Sequence, residues 1–324
     1  MREVTFLEAI REAQVEEMTA DENVIVMGQD IRANLYGGAG FVDKFGEGRV
    51  RDLPTSETAC VGAAVGAAMA GLRPLVDMGS ASFCFVAFDQ FISQVSKVRY
   101  VSGGLMTVPV TYRIPLMFDG GVGVQHSDRP HPMFMQMPGL KLAWPTTPSD
   151  AKAMLKAAIR DDDPVIFFED TYHWPSKGLI DDPPAPAPPG TARIARPGED
   201  VTVVGLGRTV TFALQAAAEL AGTGISAEVI DLRWLAPIDW DTIFASVEKT
   251  GRLVVADPAV GICSAASEIA ATVAEQRFGA LRGPVLRVTS PPVHSPYSPV
   301  LERTIYPDRV KIAAAITSTV NQGR

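Results

Sequence analysis

Apolar and polar positions alternate along the chain in the rhythm of an α/β protein. Short apolar runs, NVIVMGQD (23–30) and PVIFFED (164–170), are typical of buried strands. Helical patterns lie between such runs; the first starts at Thr5, which forms a predicted capping box with Glu8, and FVAFDQFISQVSKVRYVSG (85–103) predicts another helix. Because strands and helices of this length alternate, the pattern predicts an α/β fold with mainly parallel sheets.

The rhythm is interrupted by a polar, proline-rich stretch, IDDPPAPAPPGTARIARPGED (180–200), which is typical of an extended linker. After this stretch the alternation of strands and helices resumes. The sequence therefore predicts two α/β domains of ordinary size, each with a parallel sheet. We place the first at residues 1–187, ending in a proline-rich linker from about 175, and the second at residues 188–324.

Charge and hydropathy restrict the possible partners. The net charge of the 324 residues is −8, with no long basic run, which argues against a nucleic-acid partner. The amphipathic N-terminus lacks the apolar core of a signal peptide, and no apolar run approaches the roughly 20 residues that span a bilayer. We expect a cytoplasmic protein with no membrane partner. The three cysteines, Cys60, Cys84 and Cys263, have no metal-binding spacing and are predicted to be buried.

Two glycine-containing segments invite comparison with phosphate-binding loops. In VTVVGLGRTVTFA the third position of a dinucleotide fingerprint is Val210, so an ordinary strand-to-helix turn is favoured. DGGVG (119–123) is not followed by Lys-Ser or Lys-Thr, which excludes a P-loop, and it fits a mobile active-site loop and a plain surface loop equally. No Gly-x-Ser-x-Gly elbow is present, which argues against a serine hydrolase.

Candidate chemistry is concentrated at two places. His126 and His131 share a loop with Asp128, where a catalytic role and a surface role are equally compatible with the pattern, and a metal site would need more ligands. Ser56 is a predicted N-cap, and Glu57 follows in the first turn of a helix rich in alanine and glycine. Favourable placement at the helix dipole explains such an acid. Burial of this small-residue helix at a domain or subunit interface would instead place Glu57 in a desolvated crevice, where a carboxylate shares a proton with a ligand more readily.

Several segments, in order, resemble the β subunits of thiamine-diphosphate-dependent 2-oxo acid dehydrogenases, the pyruvate, branched-chain and acetoin enzymes. They are PTSETACVGAAVGAAMAGLRPLVD, FDQFISQVSKVRYVSGG, QHS, MPGLKLAWPTTPSDAKAMLKAAIRDDDPVIFFE and AEVIDLRWLAPID. The C-terminal segment looks most like the acetoin members. The resemblance implies a thiamine-diphosphate-binding pyrimidine domain followed by a transketolase C-terminal domain. It also implies an α2β2 heterotetramer that holds the cofactor between an α and a β subunit, and a dihydrolipoyl acyltransferase core as a further partner.

The same resemblance implies roles for individual residues. Glu57 matches the glutamate that hydrogen-bonds the aminopyrimidine ring of the cofactor and promotes its imino tautomer, with Ser56 beside it. Phe83 matches the aromatic residue beside the pyrimidine, and His126 matches a histidine on the substrate and acyl-transfer side. The substrate loop then comprises Gln125, His126, Asp128 and His131.

Metal ions are also implied by the resemblance. Relatives bind potassium at a segment that corresponds here to Ala158, Ile159, Asp161 and Asp163; a plain helix end rich in solvated acids is the alternative. The Gly-Asp-Gly motif that brings Mg²⁺ to the diphosphate belongs to the α subunit and is not found in this sequence.

The sequence departs from the family pattern near the substrate. Asp128 stands where relatives have glutamine, Gln136 replaces a second histidine, and Asp257-Pro258-Ala259 replaces His-Glu-Ala. The sequence therefore leaves open which 2-oxo acid or ketone is the substrate and whether lipoyl is the acyl acceptor. Two alternatives remain: the C-terminal subunit of a split transketolase or a free-standing thiamine-dependent C–C lyase or ligase, and a non-catalytic assembly subunit.

Overall fold

A computed structural model of the chain describes residues 1–33, 38, 40–118, 120–181 and 183–322. These residues form two compact units. The first comprises Met1–Phe118 and Gln125–Pro189. The second comprises the short segment that ends at Val124 and the chain from Gly190 onward. The predicted fold class, two α/β domains built on mainly parallel sheets, is confirmed. The predicted domain boundary at 187/188 stays a prediction.

The first unit is built on six parallel strands in the order β6-β7-β5-β4-β2-β3. Their bounds are β2 Val24–Gly28, β3 Val50–Asp52, β4 Arg73–Asp77, β5 Thr111–Leu116, β6 Lys141–Ala143 and β7 Val165–Asp170. Strands β2, β5 and β7 are buried at every position, as continuous apolar runs in a sheet covered on both faces should be. A separate antiparallel pair joins β1 (Arg2–Thr5) to β8 (Lys177–Ile180).

The helices of the first unit are α1 Phe6–Ala20, α2 Phe41–Phe45, α3 Glu57–Met69, α4 Phe88–Gln90, α5 Val98–Val101, α6 His131–Met135 and α7 Pro148–Arg160. The predicted capping box of α1 is present, because Thr5 and Glu8 bond to each other's main chain. The single helix predicted for 85–103 is wrong. That stretch is divided between the end of a 3₁₀ turn (Ala81–Phe85), α4, a π-helical turn (Phe91–Val95) and α5.

The second unit has a five-stranded sheet in the order β14-β13-β10-β11-β9, parallel except for the edge strand β9. Its strands are β9 Arg193–Arg196, β10 Val201–Gly205, β11 Ala227–Asp231, β13 Leu253–Val260 and β14 Leu286–Ser290, with a short strand β12 at Trp234–Ala236. Its helices are α8 Arg208–Ala221, α9 Trp240–Thr250, α10 Ala265–Gln276, α11 Pro299–Ile305 and α12 Arg309–Gln322. Among the helices of the described residues, none is both long and apolar enough to cross a bilayer.

Two smaller expectations have different outcomes. Strand β10 ends at Gly205 and α8 begins at Arg208, so the glycine pair lies in a strand-to-helix turn as predicted. Burial of all three cysteines is wrong: Cys60 and Cys84 are buried, whereas Cys263 is exposed. Cys263 lies in the turn between β13 and α10, with a φ of 52°.

Candidate functional site

Glu57 is the first residue of α3, and its side chain is half-buried. Ser56 occupies the N-cap position, but its side chain makes no capping hydrogen bond. Gln29, the residue directly after β2, donates from Nε2 to Oε1 of Glu57 over 3.0 Å. Among the described residues no donor reaches the other carboxylate oxygen, Oε2. One oxygen of Glu57 is thus fixed and the second is available to a ligand.

The body of α3 separates a buried face from an exposed one. Its buried residues are Cys60, Val61, Ala64, Val65 and Ala68, and its exposed positions include Ala59, Ala63 and Gly66. Gly62 permits a close contact, since a Cβ there would lie 3.0 Å from Oε1 of Gln90. The helix therefore shows a small-residue surface outward; its burial against another domain or subunit stays a prediction.

Phe83 lies in the 3₁₀ turn that follows β4. The hydroxyl of Thr58, the second residue of α3, donates to the carbonyl of Val86 over 2.8 Å and ties the helix to this turn. The ring of Phe83 meets the imidazole of His126 edge to face, with centroids 5.4 Å apart and planes at 71°. This contact brings two of the predicted site residues together.

The segment around His126 is held to the same turn. Ser80 Oγ donates to the carbonyl of His126 over 3.4 Å, and the amide of Asp128 donates to Ser82 Oγ over 3.3 Å. Gln125 is exposed, and Asp128 is half-buried. The Asp119 end of the glycine loop lies outside the described residues.

His131 has a different environment from the other predicted loop residues. It is the first residue of α6 and is fully buried. Its imidazole centroid lies 5.0 Å from the ring of Trp144 and 6.2 Å from that of Phe168. These surroundings are those of a core aromatic residue.

These residues follow the carboxyl ends of three neighbouring parallel strands. Gln29 follows β2, the Phe83 turn follows β4, and the chain that reaches His126 leaves from the end of β5. The carboxyl ends of neighbouring parallel strands meet at one edge of a sheet, where α/β proteins bind ligands. Sequence reasoning missed Gln29; its only signal was a polar side chain directly after a buried strand.

A buried ion network lies directly behind this edge. Arg113 in β5 binds both oxygens of Glu169 (Nε–Oε1 2.5 Å, Nη2–Oε2 2.9 Å), and its Nη1 lies 3.2 Å from Oδ2 of Asp77. The other carboxylate oxygen of Asp77 accepts the amide of Gly79 over 2.8 Å. Asp77 thereby fixes the start of the segment that carries Ser80 and the Phe83 turn.

The network holds two carboxylates and one guanidinium, so one negative charge is in excess. Burial raises the pKa of Asp77 to about 6; Arg113 opposes this shift, the charge of Glu169 adds to it, and the Gly79 amide opposes it. Burial also raises the pKa of the Cys84 thiol, and the negative charge of Glu57 raises it further. Cys84 is therefore a neutral thiol close to the candidate carboxylate.

The predicted potassium segment lies at the end of α7. The carbonyls of Ile159 and Asp161 converge on one nitrogen, Nη1 of Arg73, at 3.2 and 3.0 Å. Lys141 Nζ binds the carboxylate of Asp161 at 2.7 and 2.8 Å and that of Asp163 at 3.2 Å. Main-chain and carboxylate oxygens of this segment thus bind two cationic side chains, those of Arg73 and Lys141. No group of three or more His, Cys, Asp or Glu suited to a metal occurs among the described residues.

Comparison with known proteins identifies the family. The Transketolase, pyrimidine binding domain model matches residues 2–174, and the Transketolase, C-terminal domain model matches residues 190–312. The β subunits of acetoin:2,6-dichlorophenolindophenol oxidoreductase from Cupriavidus necator and Bacillus subtilis are each 42% identical to the chain, covering 100% and 97% of it and 99% and 96% of their own lengths. The 2-oxoisovalerate dehydrogenase subunit beta of Bacillus subtilis is 39% identical, covering 97% of the chain and 98% of its own length. The chain belongs to the β-subunit family of acetoin and 2-oxo acid dehydrogenases.

The family predicted from the sequence segments is confirmed, and in this β-subunit family member the candidate site lies entirely within the pyrimidine binding domain match. A solved structure described as "Split gene transketolase, inactive beta4 tetramer" has the same fold, with a TM-score of 0.82 and 22% identity over 99% of both chains. At that identity the likeness bears on the fold alone.

Proposed function

We propose that the chain is the β subunit of a thiamine-diphosphate-dependent acetoin or 2-oxo acid dehydrogenase. The observation that carries the proposal is Glu57, half-buried at the start of α3, held by Gln29 on one oxygen and open to a ligand on the other. It lies in the domain whose family binds a pyrimidine, next to the turn that carries Phe83. The two 42% identical relatives named for acetoin make acetoin the first substrate to test.

The residues at the sheet edge fit the aminopyrimidine end of thiamine diphosphate. That ring offers nitrogen atoms to a carboxylate and a flat face to an aromatic side chain, and Glu57 and Phe83 provide these two kinds of group. Ser56 completes the proposed cofactor contacts. When bound, the cofactor supplies a nucleophilic carbon and an electron sink for cleaving a C–C bond.

The remaining residues have proposed roles toward protons and substrate. Glu57 holds and returns one proton at the pyrimidine ring, which is general acid–base catalysis by a positioned carboxyl group. His126, packed against Phe83, binds the substrate oxygen and exchanges a proton with it. Gln125 and Asp128 flank it in the proposed substrate loop. His131 belongs to that loop only in sequence, because its ring is in the core.

The proposal includes partners that hold the rest of the cofactor. An α subunit, in an α2β2 heterotetramer, binds the diphosphate and its Mg²⁺, because this sequence has no Gly-Asp-Gly motif for that purpose. The exposed small-residue face of α3 offers a surface on which another subunit's backbone can approach closely. We propose a cytoplasmic location, and an acyltransferase core as partner if the acyl acceptor is lipoyl.

A reconstituted complex tests this function. The chain is coexpressed with an α subunit of the family, and dye reduction by the purified complex is measured with acetoin, pyruvate and branched 2-oxo acids, with and without thiamine diphosphate. We expect dye reduction that requires both subunits and the cofactor. A stable complex that binds thiamine diphosphate and turns over none of these substrates would contradict the proposal. Addition of a lipoylated domain then shows whether lipoyl accepts the acyl group.

We also propose that potassium binds at Ala158, Ile159, Asp161 and Asp163, where main-chain oxygens already converge. Each carbonyl has a second lone pair beside the one that Arg73 uses. Ligand linkage then predicts that exchanging KCl for NaCl at equal concentration lowers the melting temperature of the complex by roughly 2–4 °C. Equal melting temperatures in the two salts would show that the cationic side chains alone satisfy these oxygens.

A further inference from the structure

Arg129 connects two parts of the chain that are separated in sequence. Its Nη1 donates to the carbonyls of Ser127 (2.7 Å) and Asp128 (2.8 Å), and its Nη2 donates to the carbonyl of Met117 (2.8 Å). Its guanidinium carbon lies 3.3 Å from the ring centroid of Phe118, which is buried. The guanidinium of Arg129 therefore joins the residues directly after β5 to the residues directly after His126.

Met117 and Ser127 lie on either side of a short segment that belongs to the second unit. The first unit ends at Phe118 and resumes at Gln125, while the residues between belong to the second unit. Within that second unit, the amide of Gly121 donates to the buried carboxylate of Glu302 over 3.0 Å. Gly121 thus has its own anchor within the second unit, and Arg129 joins the residues that flank this segment within the first unit.

The strengths of the contacts show what holds His126 in place. Ser80 and Ser82 reach the His126 segment with bonds of 3.4 and 3.3 Å, at the long limit for hydrogen bonds. The three bonds of Arg129 measure 2.7 to 2.8 Å and come from a charged donor, which makes each about twice as strong as a neutral bond. Met117 itself follows directly on β5, a fully buried strand, and is therefore a rigid anchor.

We propose that Arg129 is the positioning residue for His126. It holds the imidazole beside Phe83 by bonding the main chain on both sides, at Met117 and at Ser127 and Asp128. The inference rests on the proposed function of His126 but concerns a residue to which no role was assigned. A planar fork is required, because donors must point in two directions while the flat face covers Phe118. A lysine has one nitrogen and no flat face, so it can replace only part of this clamp.

The test uses Arg129→Met and Arg129→Lys in the complete complex. We expect the amides of residues 125–129 to exchange with solvent about tenfold faster in Arg129→Met, with Arg129→Lys in between. The kcat should fall roughly 10- to 100-fold, since misplacing a reacting group by about 1 Å has that effect. The dissociation constant of thiamine diphosphate should stay within about twofold, because Glu57 and Phe83 keep their own anchors.

Two controls make the result decisive. Arg277→Met removes an arginine stacked on Phe244 in the second unit, 4.2 Å from the ring centroid, and should leave exchange at 125–129 unchanged. If Arg129 acts through His126, Arg129→Met should cost no further activity in a His126→Ala background. Unchanged exchange in both Arg129 variants, or additive losses in the double variant, would overturn the proposal. A fully active His126→Ala variant would instead refute the role proposed for His126 and, with it, the positioning role; the exchange data then report on the clamp separately.

Discussion

Glu57→Gln is expected to lower the kcat of the αβ complex about 10²- to 10⁴-fold, the range that general acid–base catalysis contributes. Glutamine has nearly the same shape, and its carbonyl oxygen can still accept the bond from Gln29. What the amide cannot do at neutral pH is take up and return a proton. The loss should therefore appear in kcat, measured by dye reduction at saturating thiamine diphosphate, while the melting temperature stays near that of the unaltered complex.

A matched control separates this effect from the loss of a charge. Glu47→Gln makes the same chemical change in the same unit, at a side chain that is 72% exposed and paired with Arg32, and should leave turnover unchanged. Near-normal turnover in Glu57→Gln would refute the assignment of Glu57. A complex that no longer retains thiamine diphosphate would show that Glu57 acts in binding more than in proton transfer.

Local pattern was sufficient to predict the regular parts of the fold. The runs at 23–30 and 164–170 became β2 and β7 because an uninterrupted apolar run suits a strand buried on both faces. The stretch 85–103 failed as a single helix because its turns are set by distant neighbours. Gly139, for example, approaches so closely that a Cβ there would lie 2.4 Å from the carbonyl of Ser96. No periodicity within the stretch records that contact.

The residues of the candidate site also differ in how far local sequence could predict them. Glu57 could be singled out because an acid at the start of a small-residue helix is a local feature, and the resemblance supplied its expected role. Gln29 and Arg129 could not be singled out in this way, because their partners are distant in sequence. Gln29 bonds Glu57, 28 residues away, and Arg129 bonds Met117, 12 residues away. His131 was predicted to line the loop on the basis of its neighbours in sequence. Its burial depends on Trp144 and Phe168, which only the folded sheet brings to it.

The buried ion network was also invisible to sequence reasoning. Arg113 is the single charge of β5, whereas Asp77 and Glu169 lie at or next to the ends of β4 and β7, and only the pairing of these three strands places the three side chains together. Their side chains are at most 2% exposed. A charge in such surroundings is stable only with its partner, which makes Arg113 the residue on which the other two depend.

Arg113→Met is accordingly expected to reduce the free energy of unfolding of the first unit by about 3–5 kcal/mol, because it leaves two buried carboxylates without a cation. Urea-dependent hydrogen exchange of the β5 amides in the full chain measures this unit by itself. Lys177→Met, which breaks an exposed pair with Glu3 in the same unit, is the control and should cost less than about 1 kcal/mol. A similar small cost for Arg113→Met would show that the network is not what holds this edge of the sheet.

The pH dependence of this loss identifies its cause. In the unaltered chain the folded-state pKa of Asp77 is raised from 3.8 to about 6, so the stability linked to its protonated form is present below about pH 4 and is lost as the pH rises through about 6. Arg113 is the cation that opposes the rise in the pKa of Asp77, so without it the charged form of Asp77 is less favourable in the folded state, and that cost grows with pH. The destabilisation by Arg113→Met should thus be larger at about pH 8 than at about pH 5. Adding Asp77→Asn and Glu169→Gln removes both charges and should make the destabilisation by Arg113→Met nearly equal at the two pH values. If the destabilisation by Arg113→Met alone does not depend on pH, its cause is lost packing, because removal of the guanidinium leaves the same gap at every pH.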